Sequence, residues 1–224
     1  MNDSYAISIY VQQAGSLLIA LLGVVYFLKR HLPIKLLSFY GFNSVLFQTA
    51  STIIVYNHKA RLYLNLNGNI YTLVETLILL LFFFTIYNSR IAKSLILVFA
   101  SGYLILYFTL MPNHWTELES SIRTTRDLIV IVCSLMYFYF LLREMPTGEI
   151  TKYPMFWIVA AMLSFFAGTF ALSVSIQYLV KVLHNDLALL WTMRNTFRFV
   201  FCLVVCYGLW LDLRQVRTNL TLTK

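Results

Sequence analysis

The sequence predicts an all-α integral membrane protein, a bundle of seven transmembrane helices with its amino terminus outside and its carboxyl terminus in the cytoplasm. Three observations carry this expectation. The first is composition: 60% of the 224 residues are hydrophobic and 12% are charged, with a mean hydropathy of +0.75, whereas soluble domains run at roughly 45–50% apolar and about 25% charged. The second is the number of apolar stretches of about 20 residues, the length that crosses a bilayer as a helix. The third is the unequal division of basic residues between the two sides that those stretches define. Seven spans and their connections use the whole chain, 1–224, as one transmembrane domain. That leaves no room for a fused kinase, nucleotide-binding or DNA-binding module.

In chain order the spans are expected at about 6–28, 34–57, 66–88, 94–112, 125–142, 154–180 and 187–211. The first has no basic segment before it, and Lys29-Arg30-His31 follows it, so it reads as a permanent anchor and not a cleavable signal. Pro33 and Pro154 suit the opening turns of the second and sixth helices, while Pro112 and Pro146 suit the ends of the fourth and fifth. The fifth stretch is fully apolar only from Leu128 to Leu142, too short to span alone. Its helix is therefore expected to begin near Ile122 and to carry Arg123, Arg126 and Asp127 at headgroup level. In the sixth span Ser164 and Gly168 form a small-xxx-small pair, and Ala100-Ser101-Gly102 gives the fourth a smooth patch, both being helix-contact signals.

The chain carries 17 basic and 9 acidic residues, a formal net charge of +8. In a soluble protein this would point to nucleic acid. Here no nucleic-acid partner is expected, because the charge sorts by side. Lys29, Arg30, Lys35, Arg90, Lys93, Arg143, Lys152, Arg214, Arg217 and Lys224 fall on one side, and Lys59, Arg61, Arg123, Arg126 and Lys181 on the other. The richer side reads as cytoplasmic, which places the protein in the plasma (inner) membrane as a multi-pass chain with the lipid bilayer as its principal partner. Two basic residues, Arg194 and Arg198, belong to neither side and lie within the seventh span.

Those two, with Glu75 in the third span, are residues that hydrocarbon does not tolerate singly. An isolated charge at such depth costs at least about 2.5–3.5 kcal/mol, so these are expected to face the bundle interior and to pair. Helical spacing gives each a polar stripe: Asn65, Asn69, Thr72, Glu75 and Thr76 on the third span, and Trp191, Arg194, Asn195, Arg198 and Cys202 on the seventh. Ser44, Gln48, Ser51 and Thr52 line the second, Ser8, Gln12 and Gly15 the first, and Ser164, Gly168, Ser175 and Gln177 the sixth. Counted along their own helices, Gln12, Gln48, Glu75 and Arg194 all come out about 9–14 Å from the outer face. The fourth span offers nothing comparable and is expected to face lipid or a partner.

Two arginines against one carboxylate leave an excess positive charge, unless Asp127 turns inward to supply the missing negative one. A guanidinium presents paired donors that match carboxylate or phosphate. The expectation is therefore an outward-facing pocket for a small anionic or zwitterionic ligand, with Glu75, Arg194, Arg198, Asn195, Gln48, Gln12, Thr72, Asn69, Trp191 and Gln177 as its candidate binding residues. No metal site and no cofactor are expected: His58, His114 and His184 fall in outer connections without ligand spacing, and Cys133, Cys202 and Cys206 read as free thiols within spans. No nucleophile, base and orienting group can be assembled, so no enzyme is expected.

The topology is similar to that of rhodopsin-type receptors, and an acid in the third span opposite a base in the seventh resembles the counter-ion arrangement of microbial rhodopsins. Retinal chemistry requires a lysine amine, and the seventh span has Arg194 and Arg198 but no lysine. The resemblance covers topology only. The spans also lack an internal proline, which secondary transporters often use to unwind helices at the midplane. The functional expectation is a receptor-like sensor that signals through a separate cytoplasmic or membrane partner, since the connections are too short to hold an effector. The alternatives are a small-solute transporter, possibly proton-coupled through Glu75, and a non-catalytic scaffold or accessory subunit in which the charges only fix the fold.

Overall fold

The computed structural model describes residues 3–56, 63–114, 120–144, 149–183 and 187–222, with side chains described over 10–55, 63–111, 121–143, 149–174 and 192–218. These form seven α-helices and no strand among the described residues: α1 Asp3–Val24, α2 Leu32–Tyr56, α3 Tyr63–Ile86, α4 Arg90–His114, α5 Ser120–Glu144, α6 Pro154–Leu183 and α7 Leu187–Leu222. Five of them contain stretches long and apolar enough to cross a membrane, Tyr63–Ile86, Arg90–Met111, Ser121–Arg143, Pro154–Val174 and Thr192–Thr218. The chain is a multi-pass membrane protein.

The two remaining helices fall short for separate reasons. The described apolar run of α1 is only Tyr10–Val24. In α2 the polar residues Ser38, Ser44, Gln48, Ser51 and Thr52 interrupt the apolar run, while Phe39, Phe42, Leu46 and Ile53 are exposed and Ile34, Leu37 and Tyr40 join the core. These polar positions lower the mean hydropathy without removing the apolar outer face.

Six helices close a ring in the order α1, α2, α3, α5, α6, α7, and α4 lies outside it in the seam between α3 and α5. The reason is visible in α4 itself. Ala92, Ile96, Tyr103 and Tyr107 form its narrow buried stripe, while Leu97, Val98, Ile105 and Phe108 are each at least 60% exposed. Ser101 and Gly102 are also exposed, and nothing lies within 4 Å of a Cβ built on Gly102. Ser164 is exposed as well, while a Cβ built on Gly168 would lie 3.5 Å from the Phe197 ring of α7.

The closest helix approaches are made elsewhere. A Cβ on Gly41 of α2 would come within 2.7 Å of the Ala20 backbone nitrogen and 3.0 Å of the Ser16 carbonyl of α1. Backbone cannot yield as a flexible side chain does. Gly41→Ala is therefore expected to lower stability by about 1–3 kcal/mol through overpacking, whereas Gly102→Ala should leave it unchanged or raise it by up to about 1 kcal/mol through helix propensity. Thermal unfolding of both variants in the same detergent checks this; equal midpoints would refute the α1–α2 contact.

Helix ends differ from the expected spans where polar chemistry intervenes. α1 stops at Val24, not 28, because Tyr26 adopts a left-handed conformation (φ 55°) and the chain continues as a 310 turn, Phe27–Lys29. This turn brings Arg30 back beneath the bundle. There it is buried, donates to the carbonyls of Leu22 (2.9 Å) and Leu209 (3.2 Å), and pairs with Asp212 at 3.2 Å. Leu22 lies in the last turn of α1, whose carbonyls have no partner within the helix, so Arg30 caps α1 while joining it to α7. Burial lowers the Arg30 pKa and the Asp212 carboxylate opposes that shift.

α7 runs to Leu222, eleven residues past the expected boundary at 211. Hydropathy marks the end of an apolar stretch, but a helix continues wherever its backbone bonds are met. At 1.5 Å per residue its 36 residues measure about 54 Å, well beyond a hydrocarbon core of about 30 Å. Gln215 steadies the projecting part by donating to the Lys152 carbonyl at 3.1 Å.

Candidate functional site

The charged residues of the interior meet at Glu75, twelve residues into α3. Its side chain is 1% exposed and accepts four hydrogen bonds. Oε1 takes the hydroxyls of Tyr71 (2.8 Å) and Tyr40 (3.1 Å) together with Nη1 of Arg198 (3.2 Å), and Oε2 takes Nη1 of Arg126. Tyr71 precedes Glu75 by one helical turn, so the same face delivers both. Asn69, Thr72 and Thr76 are buried on this face, as the stripe implies. The hydroxyls of Thr72 and Thr76 are taken up by their own helix, donating to the carbonyls of Gly68 (2.8 Å) and Thr72 (2.6 Å).

Arg198 enters from α7. Besides Glu75 it donates through Nη2 to Ser44 Oγ (2.9 Å) and Tyr71 OH (3.2 Å), and its guanidinium lies 4.9 Å from the ring centre of Tyr40 and 5.3 Å from those of Phe165 and Phe201. Three aromatic rings and a carboxylate thus stand around one cation, each a favourable electrostatic partner for it. Below them the bundle closes with Ile19, Leu79, Phe83, Val205 and Met162, all fully buried. The charged layer thus has an aromatic floor and an apolar foundation.

Arg126 enters from α5, and this corrects the expected placement at headgroup level. α5 begins at Ser120, which sets Arg126 about 9 Å along the helix. Arg126 is 1% exposed and Asp127 not at all. Asp127 Oδ1 accepts Nε (2.9 Å) and Nη2 (2.6 Å) of Arg126, and the Phe166 ring lies 5.4 Å from the guanidinium. One arginine therefore bridges both buried carboxylates. Arg126 also leaves the tally of outer loop charges and joins the interior.

Compared with models of protein families, with curated proteins and with solved structures, the chain matches none.

Of the expected site residues, the structure brings Glu75 and Arg198 into contact and ties Gln48 to them through Ser44, to whose Oγ it donates at 3.0 Å. Ser44 Oγ also lies 3.2 Å from Ser16 Oγ, which draws α1 into the same network. Arg194, Asn195 and Gln12 are half-buried, the first two about one turn toward the start of α7 from Arg198. It is Gln13, not Gln12, that makes a cross-helix bond, to Thr52 Oγ1 at 3.4 Å. The side chains of Trp191 and Gln177, like those of His58, His114 and His184, lie outside the described residues. Cys133, Cys202 and Cys206 are free thiols, and the described residues hold no group of three His, Cys, Asp or Glu placed to bind a metal.

Sequence reasoning missed Tyr40, Tyr71 and Arg126. Tyr71 had a usable signal in its position one turn before an intramembrane carboxylate. Asp127 had one too, since the interior charge count called for a second negative group.

The core of four charges, Glu75, Asp127, Arg126 and Arg198, is neutral. Arg194, one turn along α7 from Arg198, and Arg123, one turn along α5 from Arg126, are both half-buried at the margin of this core. Gln48 likewise lies one turn outward from Ser44, so Gln48 and Arg194 share a level about 6 Å outside the Ser44–Arg198 bond. The Gln48 Oε1 atom is buried with no hydrogen-bond partner, an acceptor facing this level.

Proposed function

We propose that the chain is a receptor-like membrane sensor of seven transmembrane helices that takes a small anionic or zwitterionic molecule at the outer margin of the charged layer. The observation that carries this reading is the Gln48 Oε1 acceptor, buried without a hydrogen-bond partner one helical turn from the Ser44–Arg198 bond at the edge of a neutral charged core. The half-buried guanidiniums of Arg123 and Arg194 stand at the same margin. Paired N–H donors match a carboxylate or phosphate. Gln48 Oε1 supplies an acceptor for an ammonium or amide on the same molecule, which is why a zwitterion also fits. The core beneath, neutral and paired around Glu75, serves as the fixed base of the site and not as the site itself.

The apolar outer face of α2 supports the seven-span reading, and the aromatic and apolar packing under Arg198 supports a sensor over a carrier. Signal output falls to a separate cytoplasmic or membrane partner.

The test is titration of purified protein in nanodiscs with acetate, inorganic phosphate, glycine and glutamate, read by thermal shift and calorimetry. At least one of these is expected to bind, with Arg194→Ala and Arg123→Ala each weakening it tenfold or more. Binding unaffected by either substitution would overturn the reading. No uptake into liposomes is expected; uptake would favour the transporter. A second reading has its own observation in the neutrality and burial of the four-charge core. It makes the protein a scaffold or accessory subunit, and then none of the probes binds while Glu75 variants change stability alone.

A further inference from the structure

The end of the bundle at which α7 finishes also gathers the α1–α2 turn, the three-residue α3–α4 link and the start of α6. One face of α7 there reads Tyr207, Trp210, Arg214, Arg217, spaced i, i+3, i+7, i+10, which is a single helical stripe. All four side chains are exposed, Tyr207 by 44% and Trp210 by 49%. The aromatic part is held in place. Trp157 of α6 stands edge-on to Tyr207 with ring centres 5.1 Å apart, Tyr207 stacks on Trp210 at 5.9 Å, and the Trp157 indole N–H donates to the Thr151 carbonyl at 2.8 Å.

We propose that this α6–α7 seam binds the headgroup phosphate of an anionic phospholipid, with the acyl chains along Trp157, Tyr207 and Trp210 and the phosphate at Arg214 and Arg217. Fixed indole and phenol rings on a lateral surface sit at the boundary of hydrocarbon and headgroups. Arg214 then lies about 6 Å further along the axis, within a headgroup layer about 5–8 Å thick, and Arg217, about 10 Å along, stands at its aqueous edge. A guanidinium pair at that level meets phosphate oxygens directly.

Charge decides which lipid. The described acidic residues at this end are Glu149 and Asp212, and each is engaged elsewhere: Glu149 with Lys152 at 2.8 Å, Asp212 buried with Arg30 at 3.2 Å. A zwitterionic headgroup brings its own ammonium and gains little from two arginines. An anionic one keeps its full attraction, worth a tenfold or smaller factor per basic residue near the surface.

The experiment titrates the full chain in detergent with phosphatidylglycerol and, separately, with phosphatidylcholine, counting bound lipid by native mass spectrometry. Phosphatidylglycerol is expected to bind in preference. The double substitution Arg214→Gln, Arg217→Gln should weaken it about thirtyfold, while Lys29→Gln, Lys35→Gln, at the α1–α2 turn of the same end, should leave it within a factor of three. Bromine-labelled phosphatidylglycerol should quench indole fluorescence less in Trp210→Phe than in the parent. Inorganic phosphate at equal concentration should not displace the lipid. The proposal falls if the arginine pair can be removed without loss, as it could if these residues served an acidic protein partner. It falls too if the lysine pair matters as much, or if phosphatidylcholine binds equally well. None of these substitutions touches the outer charged layer, so the result is independent of the sensor reading.

Discussion

Glu75→Ala is expected to destabilise the protein by about 3–5 kcal/mol, the cost of leaving buried charge without its counterpart. The carboxylate accepts from Tyr40, Tyr71, Arg126 and Arg198 at once, so its loss strands four donors, two of them cationic, in a layer closed to water. Glu75→Gln keeps an acceptor oxygen and the side-chain volume but turns a neutral core of four charges into one with a net positive charge. It should fall between the parent and Glu75→Ala. Unfolding by denaturant or heat in a fixed detergent orders the three proteins. A Glu75→Ala protein within 1 kcal/mol of the parent would contradict the arrangement around Glu75.

The second large effect separates the two interior arginines. Arg126 is bonded to both carboxylates, through Nη1 to Glu75 and through Nε and Nη2 to Asp127. Arg198 shares Glu75 with two tyrosines and a second arginine. Arg126→Ala therefore leaves Asp127 buried with no described cation and weakens Glu75 as well, whereas Arg198→Ala leaves each carboxylate with Arg126. The expected cost is about 3–5 kcal/mol for Arg126→Ala and clearly less for Arg198→Ala. The neutralising partner change Asp127→Asn should recover part of the Arg126→Ala loss, since it removes the stranded charge. Equal destabilisation by the two arginine variants, or no recovery with Asp127→Asn, would contradict the bridging role of Arg126.

What could be read in the sequence and what could not follow from the same physics. Apolar runs and prolines place helices because the bilayer imposes a length, and all seven begin within five residues of expectation for that reason; six also end within five, and α7 outruns its apolar stretch. Depth and facing could be read on one helix at a time, which is why Glu75 and Arg198 were set on inward faces. The mutual rotation of two helices could not, because spacing along α5 says nothing of what stands opposite. Arg126, near the start of a helix with a short apolar run, looked like a headgroup anchor. Only the position of α5 against α3 shows it turned onto Glu75. Tyr40 and Tyr71 were hidden differently: a tyrosine among apolar residues looks like ordinary core until a carboxylate is found within reach of its hydroxyl.

The distribution of the four core charges along the chain sets an order on how the protein can be made. The carboxylate of α3 leaves the ribosome fifty residues before Arg126 of α5 and more than a hundred before Arg198 of α7. Until α5 is in place, α3 carries a solitary acid that the bilayer rejects; once α5 joins, Arg126 meets both carboxylates. Glu75 gains its second arginine only when the last helix enters. Full pairing of the α3 carboxylate and completion of the chain are thereby coupled.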